Sequence, residues 1–358
     1  MILYVSMVDS SVKSGLYNAV KYRVIGLKKS NNKVYSINFN RTNASISWVD
    51  SNKFLPKVLN SKLPFRYLTE IMMFVTLYQL IKKKKPLVIH VHWAYPIGYV
   101  CVMLGLLLGI KVILTVHGSD IHTHPLKNKY IYNRTRFALK NASKVFFVGD
   151  ALLSEAKEIF SLNSDSFHVS YNFYHEDILK FRSKYIGNDR VLNVSYIGNF
   201  NQVKGVDRIY EIMKEVIKKI DIPINLSLAG DGPLRDRVIR DLSGLNLNLY
   251  ILGHISRESV YRLINRSDVL IMPSYKEGFG ILALESFLLE TPCVSFQIDG
   301  LESVYKYNKQ LQAKSSKDFA NAIIWCKENA PVDVNSKEYE DYFSLNRILN
   351  NEIESYYV

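Results

Sequence analysis

The sequence predicts an α/β protein made of two Rossmann-like domains with parallel sheets. The chain has 358 residues, which is more than one ordinary hydrophobic core accommodates and suits two domains. Short runs rich in Val and Ile alternate with longer helical patterns, as in βαβ units. The alternation lapses once, across Phe167–Arg190, into polar and aromatic irregularity and then restarts.

Each predicted strand is a short apolar run bounded by polar residues. In the first half the runs are Ile2–Val5, Lys33–Ile37, Leu87–His92, Lys111–Val116 and Lys144–Val148. In the second half they are Leu192–Ile197, Asn225–Ala229, Asn248–Leu252, Val269–Met272 and Cys293–Gln297. The longest apolar stretch, Ile97–Ile110, is shorter than the ~20 residues that span a bilayer, so we expect a buried crossover helix there.

The irregular stretch divides the chain into a first domain over 1–170, a linker over 171–190 and a second domain over 191–337. The terminal segment, 338–358, has helical spacing of apolar residues and either caps the second domain or packs back on the first. A composition of 48% hydrophobic and 22% charged residues, without repeats, excludes a disordered or fibrous protein.

No metal site is predicted from the spacing of potential ligands. His90 and His92 alternate along a strand and are expected on opposite faces, so they form no metal pair. The cysteines Cys101, Cys293 and Cys326 are far apart and not accompanied by clustered histidines. Because the amino end, MILYVSMV, also lacks the features of a signal peptide, we expect a reduced, cytoplasmic protein.

The segment after Val269–Met272 carries two glutamates and two glycines. It contains Glu277, Gly278, Gly280 and Glu285 in a strand–turn–helix pattern. In an open parallel sheet, ligands bind where strands end, because the free N–H groups and dipole of a following helix favour phosphate. One glutamate is expected to meet sugar hydroxyls and the other a ribose. A capped helix with a solvated glutamate is the alternative, which the apolar surroundings of Glu285 disfavour.

Two further strand ends carry residues suited to an anion or a sugar. After Leu192–Ile197 comes GNFNQVKG, in which Lys204 can meet a diphosphate as a point charge; an ordinary surface lysine is the alternative. After Lys111–Val116 comes HGSD, in which His117 can bind a hydroxyl or phosphate or shuttle a proton. A histidine that only satisfies local hydrogen bonds is the alternative there.

Taken together, these segments resemble the retaining glycosyltransferases of family four, whose fold is GT-B, over nearly the whole chain. The most specific element is EGFGILALE, which matches the family's pair of glutamates, here Glu277 and Glu285. Further support comes from TVHGSD around His117, the GN-x5-G helix entry that ends at Gly205, and the GDGP turn at Gly230.

The resemblance implies a retaining, metal-independent hexosyltransferase whose two sheets face each other across a cleft. The implied catalytic residues are His117 and Glu277, which meet the transferred sugar. The implied donor-binding residues are Gly15, Asn199, Lys204, Arg208, Gly230, Ile255, Gly278, Phe279, Gly280, Ile281 and Glu285. A nucleotide-diphosphate sugar is the implied co-substrate, with no cofactor, and the leaving phosphate helps to deprotonate the acceptor in a front-face displacement.

Within that set, the resemblance gives each group of residues a part of the donor. Lys204 and the amides near Gly280 hold the diphosphate, and Gly15 lies close to the phosphates. Glu285 holds the ribose, and Ile255 with its neighbours holds the base.

One residue departs from the family pattern. Asn199 stands where the family usually has an arginine, and an amide cannot replace a bidentate phosphate clamp. Either Lys204, Arg208 or another cation compensates, or donor affinity is low. The alternative function is therefore a non-catalytic GT-B scaffold or partner subunit that has lost donor binding. The joint presence of both glutamates, the lysine and the histidine disfavours it.

The basic charge lies in the first half of the chain. Residues 1–180 hold 24 Lys and Arg against 10 Asp and Glu, whereas residues 181–358 hold 22 against 23. Such a one-sided field suits an anionic partner. Nucleic acid is disfavoured because no recognition motif accompanies the charge. The densest point is KKKK at 82–85, after the aromatic and apolar segment Phe65–Ile81.

That segment has two interpretations. It is either a peripheral contact with an anionic membrane or a core helix that ends in solvated lysines. A basic first domain rich in aromatic residues suits an undecaprenyl-diphosphate-linked or other glycan acceptor at the inner face of a membrane. The expected process is surface-polysaccharide assembly, such as capsule, lipopolysaccharide O-antigen or exopolysaccharide.

Overall fold

The computed structural model describes residues 1–7, 15–39, 46–48, 51–55, 64–183 and 190–357. They form two units, one of residues 1–173 with 345–358 and one of residues 174–344. The predicted linker, 171–190, is thus divided between the two units.

The strands follow the predicted order along the chain. They are β1 (Ile2–Ser6), β2 (Val34–Phe39), β3 (Ile46–Trp48), β4 (Ser51–Leu55), β5 (Val88–His92), β6 (Lys111–Val116), β7 (Lys144–Phe147), β8 (Phe167–Val169), β9 (Leu192–Ile197), β10 (Ile224–Ala229), β11 (Asn248–Gly253), β12 (Val269–Met272), β13 (Cys293–Phe296) and β14 (Gln312–Ala313). Every predicted strand is observed, with ends that differ by at most two residues. The strands β3, β4, β8 and β14 were not predicted, because they are short or polar and show no clear apolar run.

Helices occupy most of the gaps between strands. They are α1 (Gly15–Lys29), α2 (Pro64–Lys84), α3 (Tyr99–Leu108), α4 (Ser119–His122), α5 (Lys129–Asn141), α6 (Asp150–Phe160), α7 (Ile209–Ile217), α8 (Arg235–Ser243), α9 (Arg257–Asn265), α10 (Ile281–Leu288), α11 (Ser316–Glu328), α12 (Ser336–Tyr342) and α13 (Leu345–Tyr357). The predicted crossover helix corresponds to α3, and the terminal segment forms two helices, α12 and α13. Within the described ranges, no helix is long and apolar enough to cross a membrane.

The first sheet has eight strands in the order β4-β3-β2-β1-β5-β6-β7-β8. All of its pairs are parallel except those of β3 with β2 and β4. Since β1 lies between β2 and β5, the chain leaves β1 to both sides, and the carboxyl ends of β1 and β5 flank a topological switch point. Every residue of β1 and β5 is buried, as in a parallel sheet covered on both faces.

The second sheet has six strands, all parallel, in the order β11-β10-β9-β12-β13-β14. This is the strand order of the Rossmann dinucleotide-binding fold. Its switch point lies between β9 and β12, which are the strands that precede the GN-x5-G and EGFGILALE segments. The topology therefore brings these two predicted motifs to neighbouring strand ends.

The last helix, α13, packs against α1 in the first unit. Leu349 and Tyr356 join the core around Val20, Val24 and Leu27. Beside that core, the Arg23 Nε atom donates to the Glu352 carboxylate at 3.0 Å, and both side chains are fully buried. A buried ion pair of this kind fixes which faces of α1 and α13 meet, because breaking it would leave an unpaired charge in the core.

Candidate functional site

Glycines bring three strand ends of the second sheet into close contact. A Cβ atom on Gly205 (φ +64°) would lie 1.9 Å from the carbonyl oxygen of Pro273, at the end of β12. A Cβ atom on Gly230 (φ +130°) would lie 1.9 Å from the carbonyl oxygen of Gly198, at the end of β9. Since the left-handed region and these distances exclude other side chains, both glycines are required by the approach of the backbones.

Lys204 and Glu277 meet at the switch point. The Lys204 ammonium donates to both carboxylate oxygens of Glu277, at 2.8 and 2.9 Å, and the Ser274 hydroxyl donates to the same carboxylate at 2.7 Å. The side chain of Glu277 is 11% exposed and that of Lys204 is 35% exposed. The carboxylate is therefore held in place by two donors, while the lysine reaches it from a partly solvated position.

The N-terminus of α10 begins directly after these residues. Gly280 is its N-cap, with φ +82°, and Ile281 is its first residue. The amide N–H groups of a first helical turn have no intrahelical acceptor and, with the dipole, favour an anion. Phe279 is 3% exposed and its ring packs against Phe343, so only its backbone can face a ligand. Gly278 lies in the turn between β12 and α10.

Glu285, on the next turn of α10, is held by residues of α9. Its carboxylate accepts from the Arg257 guanidinium at 2.8 Å and from the Tyr261 hydroxyl at 3.4 Å. Burial raises the pKa of Glu285, although Arg257 opposes that shift. A buried acceptor beside a partly exposed arginine can receive the hydroxyls of a polar ligand.

Asn199 and Arg208, the two residues that bear on phosphate affinity, differ in how they are held. Asn199 is exposed, and its carbonyl oxygen accepts from the Tyr196 hydroxyl at 3.0 Å. The Arg208 guanidinium stacks 3.5 Å from the Tyr275 ring centre and donates to the Pro273 carbonyl at 3.3 Å. Arg208 thus stabilises the loop after β12. Its compensation for the arginine that Asn199 replaces stays a prediction.

Ile255 lies just before a helix, and Gly15 is the first residue of one. Ile255 is half-buried in the loop between β11 and the N-cap of α9. The Gly230 amide donates to the Gly253 carbonyl at 2.7 Å, which places the GDGP turn beside that loop. Gly15 is the first residue of α1, and residues 8–14, which precede it, lie outside the described residues.

In the first unit, His117 follows β6 and is partly exposed. Asp120 accepts backbone N–H groups from His117 and Gly118 at 2.9 Å each and from Ala94 at 3.2 Å. This buried carboxylate therefore ties the end of β6 to the turn that follows β5. Burial raises the pKa of Asp120 to about 6, against the lowering effect of four backbone N–H groups, those of His117, Ala94 and Gly118 and its own.

The expectation that His90 and His92 lie on opposite faces of their strand is wrong. Their rings stack with centroids 4.8 Å apart, because residues two apart in a strand share a face. His92 Nδ1 lies 2.8 Å from His117 Nε2, whereas His90 contacts Thr115 and Tyr356. One face of β5 thus leads directly to the predicted catalytic histidine.

Comparison with known proteins identifies the family. A family model described as "Glycosyl transferases group 1" matches residues 178–341, and one described as "Glycosyl transferase 4-like" matches residues 2–148. The chain belongs to the family-four glycosyltransferases. Both models match a region that contains one of the sites described above, which confirms the resemblance predicted from EGFGILALE and TVHGSD.

This glycosyltransferase family member has relatives of known name and structure. It is 26% identical over 228 residues to N-acetyl-alpha-D-glucosaminyl L-malate synthase of Bacillus anthracis, which is 62% of this chain and 59% of that protein. The lipopolysaccharide outer core galactosyltransferase WaaB superimposes with a TM-score of 0.75 at 14% identity, over 99% of both chains. Anabaena Alr3699/HepE in complex with UDP-glucose superimposes with a TM-score of 0.69 at 14% identity, over 99% of this chain and 98% of that one. These likenesses confirm the predicted GT-B fold.

Several residues that contact the candidate site were missed from the sequence. They are Tyr4, His92 and Asp120 in the first unit, and Arg257, Tyr261 and Ser274 in the second. Tyr4 contacts His92, and each of the others contacts a predicted site residue from a different strand, helix or turn, or from farther along its own loop. Only Asp120 lay inside a quoted motif, TVHGSD, and Ser274 lay between the strand Val269–Met272 and Glu277, so spacing along the chain carried no signal for the others.

Proposed function

We propose that this chain transfers a sugar from a nucleotide-diphosphate donor to a glycan acceptor with retention of configuration. The observation that carries the proposal is the Lys204–Glu277 pair at the switch point of the second sheet, directly before the N-terminus of α10. A cation, free backbone N–H groups and a carboxylate are the groups needed for a diphosphate linked to a sugar. In Anabaena Alr3699/HepE, the solved structures hold UDP and UDP-glucose.

Donor binding would redistribute the ion pair. Lys204 is the more exposed partner, so its ammonium can turn to a phosphate oxygen while Ser274 still holds the carboxylate of Glu277. Glu277 then accepts a hydroxyl of the transferred sugar, and Glu285 accepts a ribose hydroxyl. Neutralising the diphosphate as it leaves is an electrostatic contribution made mainly in the transition state.

The proposed reaction is a front-face displacement that needs no bound metal. The bond between the anomeric carbon and the diphosphate oxygen breaks, and the acceptor oxygen bonds to the same face of that carbon. The acceptor proton passes to the departing phosphate, so charge and atoms balance. Lys204 and the α10 amides supply the positive charge. Unchanged turnover in excess EDTA is the expected result.

The acceptor side of the proposal rests on α2, whose two faces differ. On the inner face, Glu70 accepts from the Tyr130 hydroxyl at 2.8 Å and from Arg134 Nε at 3.1 Å. On the outer face lies a stripe of large side chains that are 36 to 58% exposed: Leu68, Ile71, Val75 and Tyr78. One helical turn after Tyr78 comes Lys82, within the lysine run. The packed inner face of α2 is typical of a core helix, and its exposed apolar outer face is typical of a peripheral membrane contact.

An apolar stripe continued by lysines suits the interface of an anionic bilayer, where each lysine near the surface contributes about 1 kcal/mol. We therefore extend the proposal to a lipid-linked glycan acceptor at the inner face of the cell membrane, in surface-polysaccharide assembly. The outer stripe of α2 would rest among the headgroups. The basic excess of the first 180 residues favours the same surface.

The alternative, a scaffold that has lost donor binding, is favoured by one observation. Asn199 replaces the expected guanidinium, and Arg208 is engaged by Tyr275 and Pro273. If no other cation compensates, the diphosphate meets Lys204 alone. The scaffold and the enzyme therefore differ in a measurable quantity, the affinity for nucleoside diphosphates.

Calorimetry of the purified chain with UDP, GDP and their sugar conjugates, without metal, tests the donor site. Binding of one nucleotide class that Glu285→Ala abolishes is the expected result. The matched control is Glu290→Gln, because Glu290 is 50% exposed and pairs with Arg182, which is not a predicted donor-binding residue. Absence of binding to every conjugate would reject the enzyme in favour of the scaffold.

Sedimentation with vesicles tests the acceptor surface. Vesicles rich in phosphatidylglycerol are expected to carry down the wild-type chain, and Ile71→Glu is expected to release it. Leu107→Glu is the matched control, because Leu107 is 63% exposed on α3, outside the stripe. Equal release by both variants, or equal binding to neutral phosphatidylcholine, would argue against the membrane contact and favour a small water-soluble acceptor.

A further inference from the structure

A chain of buried rings connects the core of the first unit to His117. The Tyr4 hydroxyl, on β1, is hydrogen-bonded to His92 Nε2, on β5. The other nitrogen of that ring, Nδ1, lies 2.8 Å from His117 Nε2. Tyr4 and His92 are each 1% exposed, whereas His117 is partly exposed. The chain thus begins in the core and ends at the site residue.

Each link of the chain needs one donor and one acceptor, so the protons are arranged in one of two ways. In the first, Tyr4 donates to His92, and His92 donates from Nδ1 to His117 Nε2. In the second, His117 donates from Nε2 to His92, and His92 donates to the Tyr4 oxygen. A neutral imidazole carries a single N–H, so each arrangement fixes both tautomers.

The second arrangement leaves the Tyr4 proton without an acceptor. Within the described part of the chain, His92 is the hydrogen-bond partner of the Tyr4 hydroxyl. A buried O–H group with no acceptor is unfavourable, because it has lost its hydrogen bond to water without gaining one in the protein. In the first arrangement the Tyr4 O–H donates to His92 and the His92 Nδ1–H donates to His117, so both protons have acceptors. The proton of His117 itself is then on Nδ1.

We propose that Tyr4 and His92 are positioning residues that hold His117 as its Nδ1–H tautomer, so that the ring presents Nδ1 as a hydrogen-bond donor to a sugar hydroxyl or a phosphate oxygen. Nε2 is occupied by His92, and Nδ1 is the polar atom that remains for a ligand. The catalytic use of that donor rests on the proposed function. The tautomer itself does not depend on any reaction.

The electrostatics of the region keep the rings of His92 and His117 uncharged. Burial lowers the pKa of His92 and of His117 well below the usual value, and the positive charge of Arg23 acts in the same direction. Arg23 is itself paired with Glu352. Neutral rings are required by the argument, because a protonated imidazole would donate from both nitrogens.

A second tyrosine–histidine pair in the same core provides a matched control. His90 Nδ1 lies 2.6 Å from the Tyr356 hydroxyl, and His90 Nε2 lies 2.8 Å from Thr115 Oγ1. This pair is as buried as the first but ends at Thr115 and does not reach His117. Tyr356→Phe therefore removes an equivalent buried hydroxyl and leaves the hydrogen bonds of Tyr4, His92 and His117 in place.

The test is the tautomer of His117 in the full chain, measured by long-range ¹H–¹⁵N correlation with ring-labelled histidine and assigned by comparison with His117→Asn. The expected wild-type pattern is a protonated Nδ1 and an unprotonated Nε2. Tyr4→Phe is expected to populate the Nε2–H form, and Tyr356→Phe is expected to leave the pattern unchanged. A wild-type His117 protonated at Nε2 would overturn the proposal, even if Tyr4→Phe fails to fold.

Kinetics separate this inference from the proposed function. Once a donor and acceptor are identified, Tyr4→Phe is expected to lower kcat about tenfold, leave the donor KM unchanged and exceed the effect of Tyr356→Phe. If no transfer is found, the tautomer pattern still decides the positioning role. An Nδ1–H pattern unchanged by Tyr4→Phe would show that other contacts hold the ring.

Discussion

At the carboxyl end of its sheet the first unit buries neutral rings, whereas the second unit places ion pairs there. His117 is held through His92 and Tyr4 by hydrogen bonds between uncharged groups. In the second unit, Glu277 and Glu285 are held by Lys204 and Arg257, whose side chains are 35% and 34% exposed. Both arrangements occupy strand ends near a topological switch point, but they respond differently to a charged ligand.

The two sites differ in how far their side chains can rearrange when a ligand binds. The hydrogen-bonded series of Tyr4, His92 and His117 cannot rearrange without leaving a buried polar group unpaired. Its geometry is therefore fixed before a ligand binds. An ion pair with a half-solvated cation can exchange its partner for a phosphate at small cost, since such pairs contribute little themselves. We infer that the first unit provides a rigid contact and the second provides charges that move with the donor.

The largest expected effect tests the rigidity of the first unit. Arg23→Met is expected to lower the free energy of unfolding by about 3–5 kcal/mol, because Glu352 would remain buried without its cation. Urea denaturation of the whole chain measures this change. Arg262→Met is the control, since its pair with Glu258 is exposed, and a loss of less than about 1 kcal/mol is expected there. Equal losses would erase the contrast between the two kinds of pair.

The next effect tests the responsive pair of the second unit. Glu277→Gln keeps the shape of the side chain but removes the charge that balances Lys204 and that is proposed to meet the sugar. Transfer is expected to fall by about 100-fold or more, as for loss of a group that stabilises the transition state. Binding of the nucleoside diphosphate without its sugar is expected to persist or tighten, because Lys204 is released. Loss of transfer together with equal loss of nucleotide binding would show instead that Glu277 holds the loop.

The sequence carried enough information for the fold because its strands are apolar runs separated by amphipathic helices. It also singled out Lys204 and Glu277, because they follow strands in glycine turns, where ligands bind in parallel sheets. Their role in donor binding stays a prediction. The strand order then determined that these two residues meet, and no spacing along the chain reports that order. The same holds for Arg257, which reaches Glu285 from another helix.

The first unit was harder to interpret for a physical reason. Tyr4, His92 and Glu352 sit in apolar runs or an amphipathic helix, where a polar side chain is ordinarily an isolated exception. Their role comes from partners that are 88 and 329 positions away in the sequence. The placement of His90 and His92 was wrong because the strand periodicity of two was applied in the wrong sense.

A smaller effect is expected at Asp120, which ties two strand ends in the first unit. Asp120→Asn places an NH₂ group against one of the backbone donors, such as that of Ala94, and is expected to cost about 1–3 kcal/mol of unfolding free energy at low pH. The folded pKa of about 6 lies above the ordinary value of 3.8, so the native state retains the proton more strongly. This carboxyl therefore stabilises the fold fully below about pH 4, and that contribution is lost as the pH rises through about 6.

The measurement for Asp120 is the difference in unfolding free energy between the wild type and Asp120→Asn across pH 4 to 7. The difference is expected to narrow as the pH rises, because the amide does not titrate. A constant difference would show that the carboxyl keeps its ordinary pKa and that the backbone donors outweigh burial.

The smallest expected effect concerns Arg257, which is partly exposed and therefore worth about 1 kcal/mol or less to its partner. Burial raises the pKa of Glu285 and Arg257 lowers it, so the carboxylate that would accept ribose hydroxyls is lost as the pH falls. Arg257→Met is expected to weaken nucleotide binding less than tenfold at pH 8 and to shift the acid loss of binding to higher pH.

Calorimetric titration of the preferred nucleotide across pH 5 to 8 measures that shift, with Glu285→Gln as the variant whose affinity is flat with pH. An acid limb that stays in place in Arg257→Met would mean that burial alone sets the ionisation of Glu285. The second unit would then share the fixed character of the first at this carboxylate, and only the Lys204–Glu277 pair would respond to the donor.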